Sequence, residues 1–107
     1  MTAPGSVTAA NRLRLQARLI ASEGLRHTPA GIPVVDATLA HQSAQSEAGL
    51  ARTVELELAT RFAGALAKRA AVLPMGTALQ VEGFLAPRRR QSRQLVLHVN
   101  EFELIEV

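Results

Sequence analysis

Residues 60–76 read TRFAGALAKRAAVLPMG, and here the spacing of apolar side chains differs from that of the chain on either side. Phe62, Leu66, Ala70 and Leu73 recur at helical spacing, Thr60 is a candidate N-cap, and Pro74 and Gly76 follow the last apolar residue. The pattern predicts one short amphipathic helix. Before and after it, apolar residues alternate with polar ones, the period of strands buried on one face.

Immediately upstream, RTVELELAT (52–60) places Val54, Leu56 and Leu58 on one side and Thr53, Glu55 and Glu57 on the other. An earlier strand is expected from about Pro33 to His41, with QSAQSEAGL (42–50) as a polar connection. NRLRLQARLIAS (11–22) alternates too, with Leu13, Leu15, Ala17 and Leu19 opposite Arg12, Arg14, Gln16 and Arg18. The two glycines and two prolines of EGLRHTPAGIP (23–33) predict a turn or open loop after it. Downstream of the helix, TALQVEGFLAP (77–87) directs Leu79, Val81 and Leu85 inward and Gln80, Glu82 and Phe84 outward, and Gly83 suits a bulge or bend. QLVLHVNEFELIEV (94–107) supplies a last strand, whose alternation becomes ambiguous around Glu101 and leaves Phe102 unassigned. Three strands, a helix and two strands form the order of an OB-fold: all-β with one short helix, a five-stranded Greek-key barrel. Other small α+β topologies share that order.

At 107 residues and 48% hydrophobic composition, one domain over 11–107 is expected, after a small and polar tail over 1–10. The formal charge of +3 is unevenly spread: all 12 basic residues lie at or before Arg93, and 11 of them are arginine. Arginine's planar fork suits phosphate or carboxylate. Arg88, Arg89, Arg90 and Arg93 crowd into APRRRQSR (86–93), between the last two strands. Such a cluster is either a solvated turn or a surface for a polyanion.

No cysteine is present, which excludes a disulfide framework, a thiolate metal site and a thiol nucleophile, and fits a reducing compartment. MTAPGSVTAA does not read as a secretion signal, no apolar run is long enough to span a membrane, and a cytoplasmic protein is expected. His27, His41 and His98 have no spacing that favours zinc. Glu55 and Glu57 share a strand face but have no nucleophile or phosphate loop beside them, so no catalytic residue, metal or cofactor is expected.

Four segments carry a resemblance: NRLRL (11–15), AGIPVVDATLAHQSAQSEAG (30–49), VEGFL (81–85) and LVLHVNEFELIE (95–106). They resemble the primosomal replication protein N family, small dimeric relatives of bacterial single-stranded DNA-binding protein that act in replication restart. The resemblance implies an SSB-like OB-fold homodimer that binds single-stranded DNA. It also implies contact between the primosomal helicase and the helicase-loading primosomal protein, at replication forks on the nucleoid, and no catalysis. In that family, basic residues on the loop between strands four and five contact DNA, the place held here by Arg88, Arg89, Arg90 and Arg93. Arg52, just before strand three, falls at another basic position of the family's surface.

Where some members carry a tryptophan on strand three and a phenylalanine before it, this chain has Glu55 and Leu50, and it contains no Trp or Tyr. Base stacking is worth about 1–3 kcal/mol per base, so its loss shifts affinity toward phosphate contacts. Phe84 is the remaining candidate platform if its ring is exposed. The alternative function is a protein-interaction OB module with weak or vestigial DNA binding.

Overall fold

The structure is a computed structural model describing residues 9–106; most of the expected tail, residues 1–8, lies outside the described residues. The elements are β1 (Leu13–His27), β2 (Pro33–Glu47), β3 (Leu50–Ala63), α1 (Ala65–Ala71), β4 (Ala78–Pro87) and β5 (Leu95–Leu104). They close a barrel in the order β1-β2-β3-β5-β4, the OB-fold expected from the sequence. Closure comes from a short parallel pairing of β3 with β5, in which Thr60 faces Leu97 and Arg61 faces His98.

Three of the strands run further than the alternation suggests. β1 does not stop at Ser22: it continues to His27 through register shifts between Leu19 and Ala21 and between Ser22 and Leu25. These irregularities bend the strand so that its first part pairs with β4 and its second with β2. The breakers upstream of Pro33 therefore make only a tight connection, in which Gly31 N donates to Thr28 O (2.8 Å) and Thr28 N to Ile32 O (2.9 Å).

Residues 42–50 are likewise not a loop. Paired continuously from Gln42 with Glu55 to Glu47 with Leu50, they form one arm of a hairpin closed by Ala48 (φ 53°) and Gly49 (φ 78°). Beyond His41 neither strand has another strand neighbour among the described residues. Both faces of the arm are wet, so the apolar alternation that marks a strand is not required there.

The helix is shorter than expected. Phe62 is in β3, and Thr60 is a buried strand residue whose hydroxyl donates to Leu58 O (3.0 Å), not an N-cap. Leu58, Thr60 and Phe62 continue the two-residue period into the core, and Phe62 happens to satisfy the helical spacing as well. Gly64 precedes α1 instead, with no side-chain cap, and the small buried residues Ala67 and Ala70 let the helix close against the barrel.

Leu19, Val35, Leu39, Phe62, Leu79, Val81 and Leu97 form the centre of the core. Each contributes about 1.5–3 kcal/mol by leaving water. Phe102, ambiguous in the sequence, is buried and meets Phe62 edge-on with ring centroids 5.3 Å apart. Its phase is explained by the ladder between β4 and β5, where Glu82 pairs with Glu101 but Gly83 with Val99. The extra residue, Asn100, shifts the inward set from Leu97 and Val99 to Phe102. The irregularity expected at Gly83 thus sits on the opposite strand. Gly83 permits it: a Cβ there would lie 1.9 Å from His98 O.

Candidate nucleic-acid interface

The connection between β4 and β5 is a structured turn. Arg88 N donates to Gln94 O (2.8 Å), Ser92 N to Arg89 O (2.9 Å) and Gln94 N to Ser92 Oγ (3.0 Å), while Gln91 adopts φ 68°. These bonds fix the backbone and leave Arg88, Arg89, Arg90 and Arg93 exposed.

The other seven arginines are all engaged. Arg12 is paired with Glu82 (2.9 Å), Arg52 with Glu47 (2.5 Å), and Arg26 and Arg61 share Asp36 (2.5 and 2.8 Å). Arg14 donates to the Gln80 side-chain oxygen (2.9 and 2.6 Å) when that amide is turned to accept it, and Arg18 donates to Gly76 O (2.8 Å). Arg69 lies over the Phe102 ring, 4.4 Å from its centroid. Among the described residues, only the four loop arginines have no such contact, whether to a side chain or to a backbone carbonyl. Subtracting their four charges from the formal +3 leaves −1 for the rest of the chain. The positive field therefore originates at one turn.

Arg52 lies within β3, not just before it as expected. It sits near the tip of the projecting hairpin, where its guanidinium is tied to Glu47. Both partners are well exposed, so the pair is weak and screened by salt.

Phe84 faces outward, as the alternation predicts, and is 38% exposed. One face of its ring is taken: the His98 imidazole stacks on it at 5.0 Å with only 5° between the planes. These residues belong to a row across the sheet that periodicity alone does not reveal. Phe84 pairs with His98, His98 with Arg61, and Arg61 with Asp36. The pairing of β3 with β5 joins strands separated by a helix and another strand, and alternation within a strand carries no information on that register. Burial and the positive charge of Arg61 lower the His98 pKa, outweighing the opposite pull of Asp36. For Asp36, burial acts upward, but hydrogen bonds and charge from Arg61 and Arg26 outweigh it and hold the carboxyl below its usual range.

In β1, Leu13–Ala17 pair with β4 along one edge and have no strand neighbour on the other among the described residues. A groove of about 700 Å³ adjoins this edge, lined by Gln16, Arg18, His41, Leu56 and Ile105 among others. His41 spans part of the gap: Nδ1 donates to Gln16 O (2.7 Å), and Nε2 lies 2.7 Å from Ser43 Oγ. Among the described residues, no cluster of carboxylates and histidines is suited to a metal ion, and no helix is long and apolar enough to cross a membrane.

Comparison with known proteins places these features in a lineage. A family described as "another single-strand binding protein family" matches residues 11–101. The replication restart protein PriB of Bordetella pertussis is 44% identical over 91 residues, covering 85% of each chain. The solved structure of PriB from Ralstonia solanacearum superimposes with a TM-score of 0.83 at 38% identity, over 92% of this chain and all of that one. The single-stranded DNA-binding protein of Thermus aquaticus aligns with a TM-score of 0.72 at 26% identity, over 91% of this chain and 50% of that one. By sequence and by barrel topology, the chain belongs to the PriB-type, SSB-like family of single-strand binding proteins of replication restart.

Proposed function

We propose that this protein binds single-stranded DNA through phosphate contacts from Arg88, Arg89, Arg90 and Arg93 and acts as a non-catalytic adaptor of the replication-restart primosome. The observation that carries the reading is the contrast between four loop arginines with no partner among the described residues and seven engaged ones. A turn whose backbone is already ordered presents its cations at little further entropic cost. Phosphate contacts of this kind do not read sequence, so binding is largely non-specific. Arg52 adds a second basic point once Glu47 gives way to a phosphate, and the free face of Phe84 offers a ring to one base. A single domain begins at residue 11 in this reading.

In this reading the protein is a cytoplasmic homodimer associated with replication forks on the nucleoid. It bridges the primosomal helicase to the helicase-loading primosomal protein. The open backbone edge of Leu13–Ala17 supports dimerisation, since a second copy would pair N–H and C=O groups that no strand meets among the described residues, Gln16 O being held by His41.

Reversal of Arg88, Arg89 and Arg90 to glutamate tests the assignment. The triple variant is expected to stay folded, because none of these side chains has an internal partner among the described residues, and to lose binding to labelled oligo-dT. Unchanged affinity would remove the loop from the mechanism. The His98 ring over Phe84, with the absence of Trp and Tyr, favours one alternative: a protein-interaction module with vestigial DNA binding. Wild-type affinity weaker than high micromolar at low salt selects that alternative.

A further inference from the structure

Below the arginine turn, on the outer face where β3 meets β5, lies a small groove of about 100 Å³. Arg61 and His98 line it from β3 and β5, Asp36 from β2, Glu23 from β1 and Arg88 from the turn. Arg26 approaches from β1 through its contact with Asp36. Three guanidiniums thus face two carboxylates around one imidazole, and Asp36 is already saturated by Arg26 and Arg61. The β4 neighbour of His98 is the uncharged ring of Phe84. Arg88 alone among these cations has no partner among the described residues, and it stands at the rim.

We propose that this groove seats one phosphodiester of the single strand between Arg88 and Arg61, with His98 as a third, proton-dependent contact. The proposal rests on the DNA-binding reading above and adds a subsite on the barrel wall that charge clustering in the sequence does not indicate. Without ligand, burial and the Arg61 guanidinium disfavour a charged imidazole and outweigh the opposite pull of Asp36. An entering phosphate reverses the local field. The imidazole then gains a proton from solvent and donates a charge-assisted hydrogen bond to a phosphate oxygen. No covalent bond changes.

Proton uptake on binding means that affinity rises as pH falls through the bound-state pKa of His98 and levels off below the free-state value. Each unit by which the bound value exceeds the free one gives up to about a tenfold gain in affinity. The primary measurement is an NMR titration of the His98 imidazole with and without saturating oligo-dT at constant ionic strength. Its pKa is expected to rise by about one unit or more on binding. An unchanged or lowered pKa overturns the proposal.

His98→Phe separates protonation from packing, because phenylalanine preserves the stack on Phe84 and cannot titrate. This variant is compared with wild type by the change in its oligo-dT affinity with pH, not by its affinity at any one pH. Between pH 8 and 5.5 it is expected to lose the gain that wild type shows. A pH response equal to that of wild type would assign the effect to His27, His41 or carboxylates elsewhere and overturn the subsite. If wild type binds DNA with a pH-independent affinity, this inference fails while the loop mechanism stands. If wild type does not bind oligo-dT at low salt, both fail.

Discussion

Gly83→Ala tests how the barrel aims its arginine turn. The added Cβ would lie 1.9 Å from the carbonyl oxygen of His98 and 2.8 Å from its carbon, both backbone atoms that cannot rotate away. Reaching ordinary contact at 3.4 Å requires β5 to retreat by about 1.5 Å. A shift of that size disrupts two or three neighbouring ladder bonds, each worth about 0.5–1.5 kcal/mol, and loosens the packing of Val99. A loss of about 3 kcal/mol is expected, which for a domain of this size lowers Tm by roughly 10–20 °C. Urea unfolding at one fixed protein concentration measures it, since association would make stability concentration-dependent. The midpoint should fall with an unchanged m-value. A change below about 0.5 kcal/mol, the scale of a neutral surface substitution, would show that β4 and β5 separate without cost and refute the close-approach argument.

Other perturbations address separate parts of the structure. Asp36→Asn removes the shared partner of Arg26 and Arg61 and is expected to cost about 1 kcal/mol at pH 7, the upper range for partly exposed ion pairs. Because the Asp36 carboxyl is depressed in the folded state, its contribution is present above the unfolded pKa and is lost as pH falls through the folded one. The stability gap between variant and wild type should therefore close below about pH 4; a gap that persists in acid would contradict the pairing. Ala48→Asn places a residue tolerant of left-handed backbone beside Gly49 and is expected to raise stability by about 0.5–1 kcal/mol. A loss of stability would mean that the hairpin turn differs from the one described. Phe84→Ala should weaken oligo-dT binding by about 1–3 kcal/mol if a base occupies the free ring face, and replacing one thymidine by an abasic site should abolish that difference. No loss of affinity would leave Phe84 as the packing partner of His98 alone.

The parts of the fold that depend on burial were legible in the sequence. Leu13, Leu15, Ala17 and Leu19 in β1, and Leu79 and Val81 in β4, alternate because one face is core, and a helix between the third and fourth strands is the order of an OB-fold, though not of that fold alone. The hairpin of 42–56 was half hidden because both of its faces meet water and Gln, Ser and Ala satisfy strand geometry without marking it. Phe62 fits two periods at once, so spacing alone assigns it to the helix although it lies in β3. The arginine cluster was visible as composition, whereas its distinction from the other seven arginines was not. Partners such as Glu82 for Arg12 and Asp36 for Arg61 lie 70 and 25 residues away, and only the barrel brings them together. The row of Phe84, His98, Arg61 and Asp36 depends on the parallel register of β3 and β5, which no local pattern encodes.

The proposal is that four guanidiniums with no partner among the described residues hold the phosphates of an unpaired strand. Its most direct test is the dependence of oligo-dT affinity on salt, measured for wild type and for the variant with Arg88, Arg89 and Arg90 reversed to glutamate. At about 0.7 per neutralised phosphate, four contacts give a log–log slope near −3 for each loop engaged. A wild-type slope of that size, lost in the variant, is the expected result. A slope near zero, or one that the reversal leaves unchanged, would contradict it.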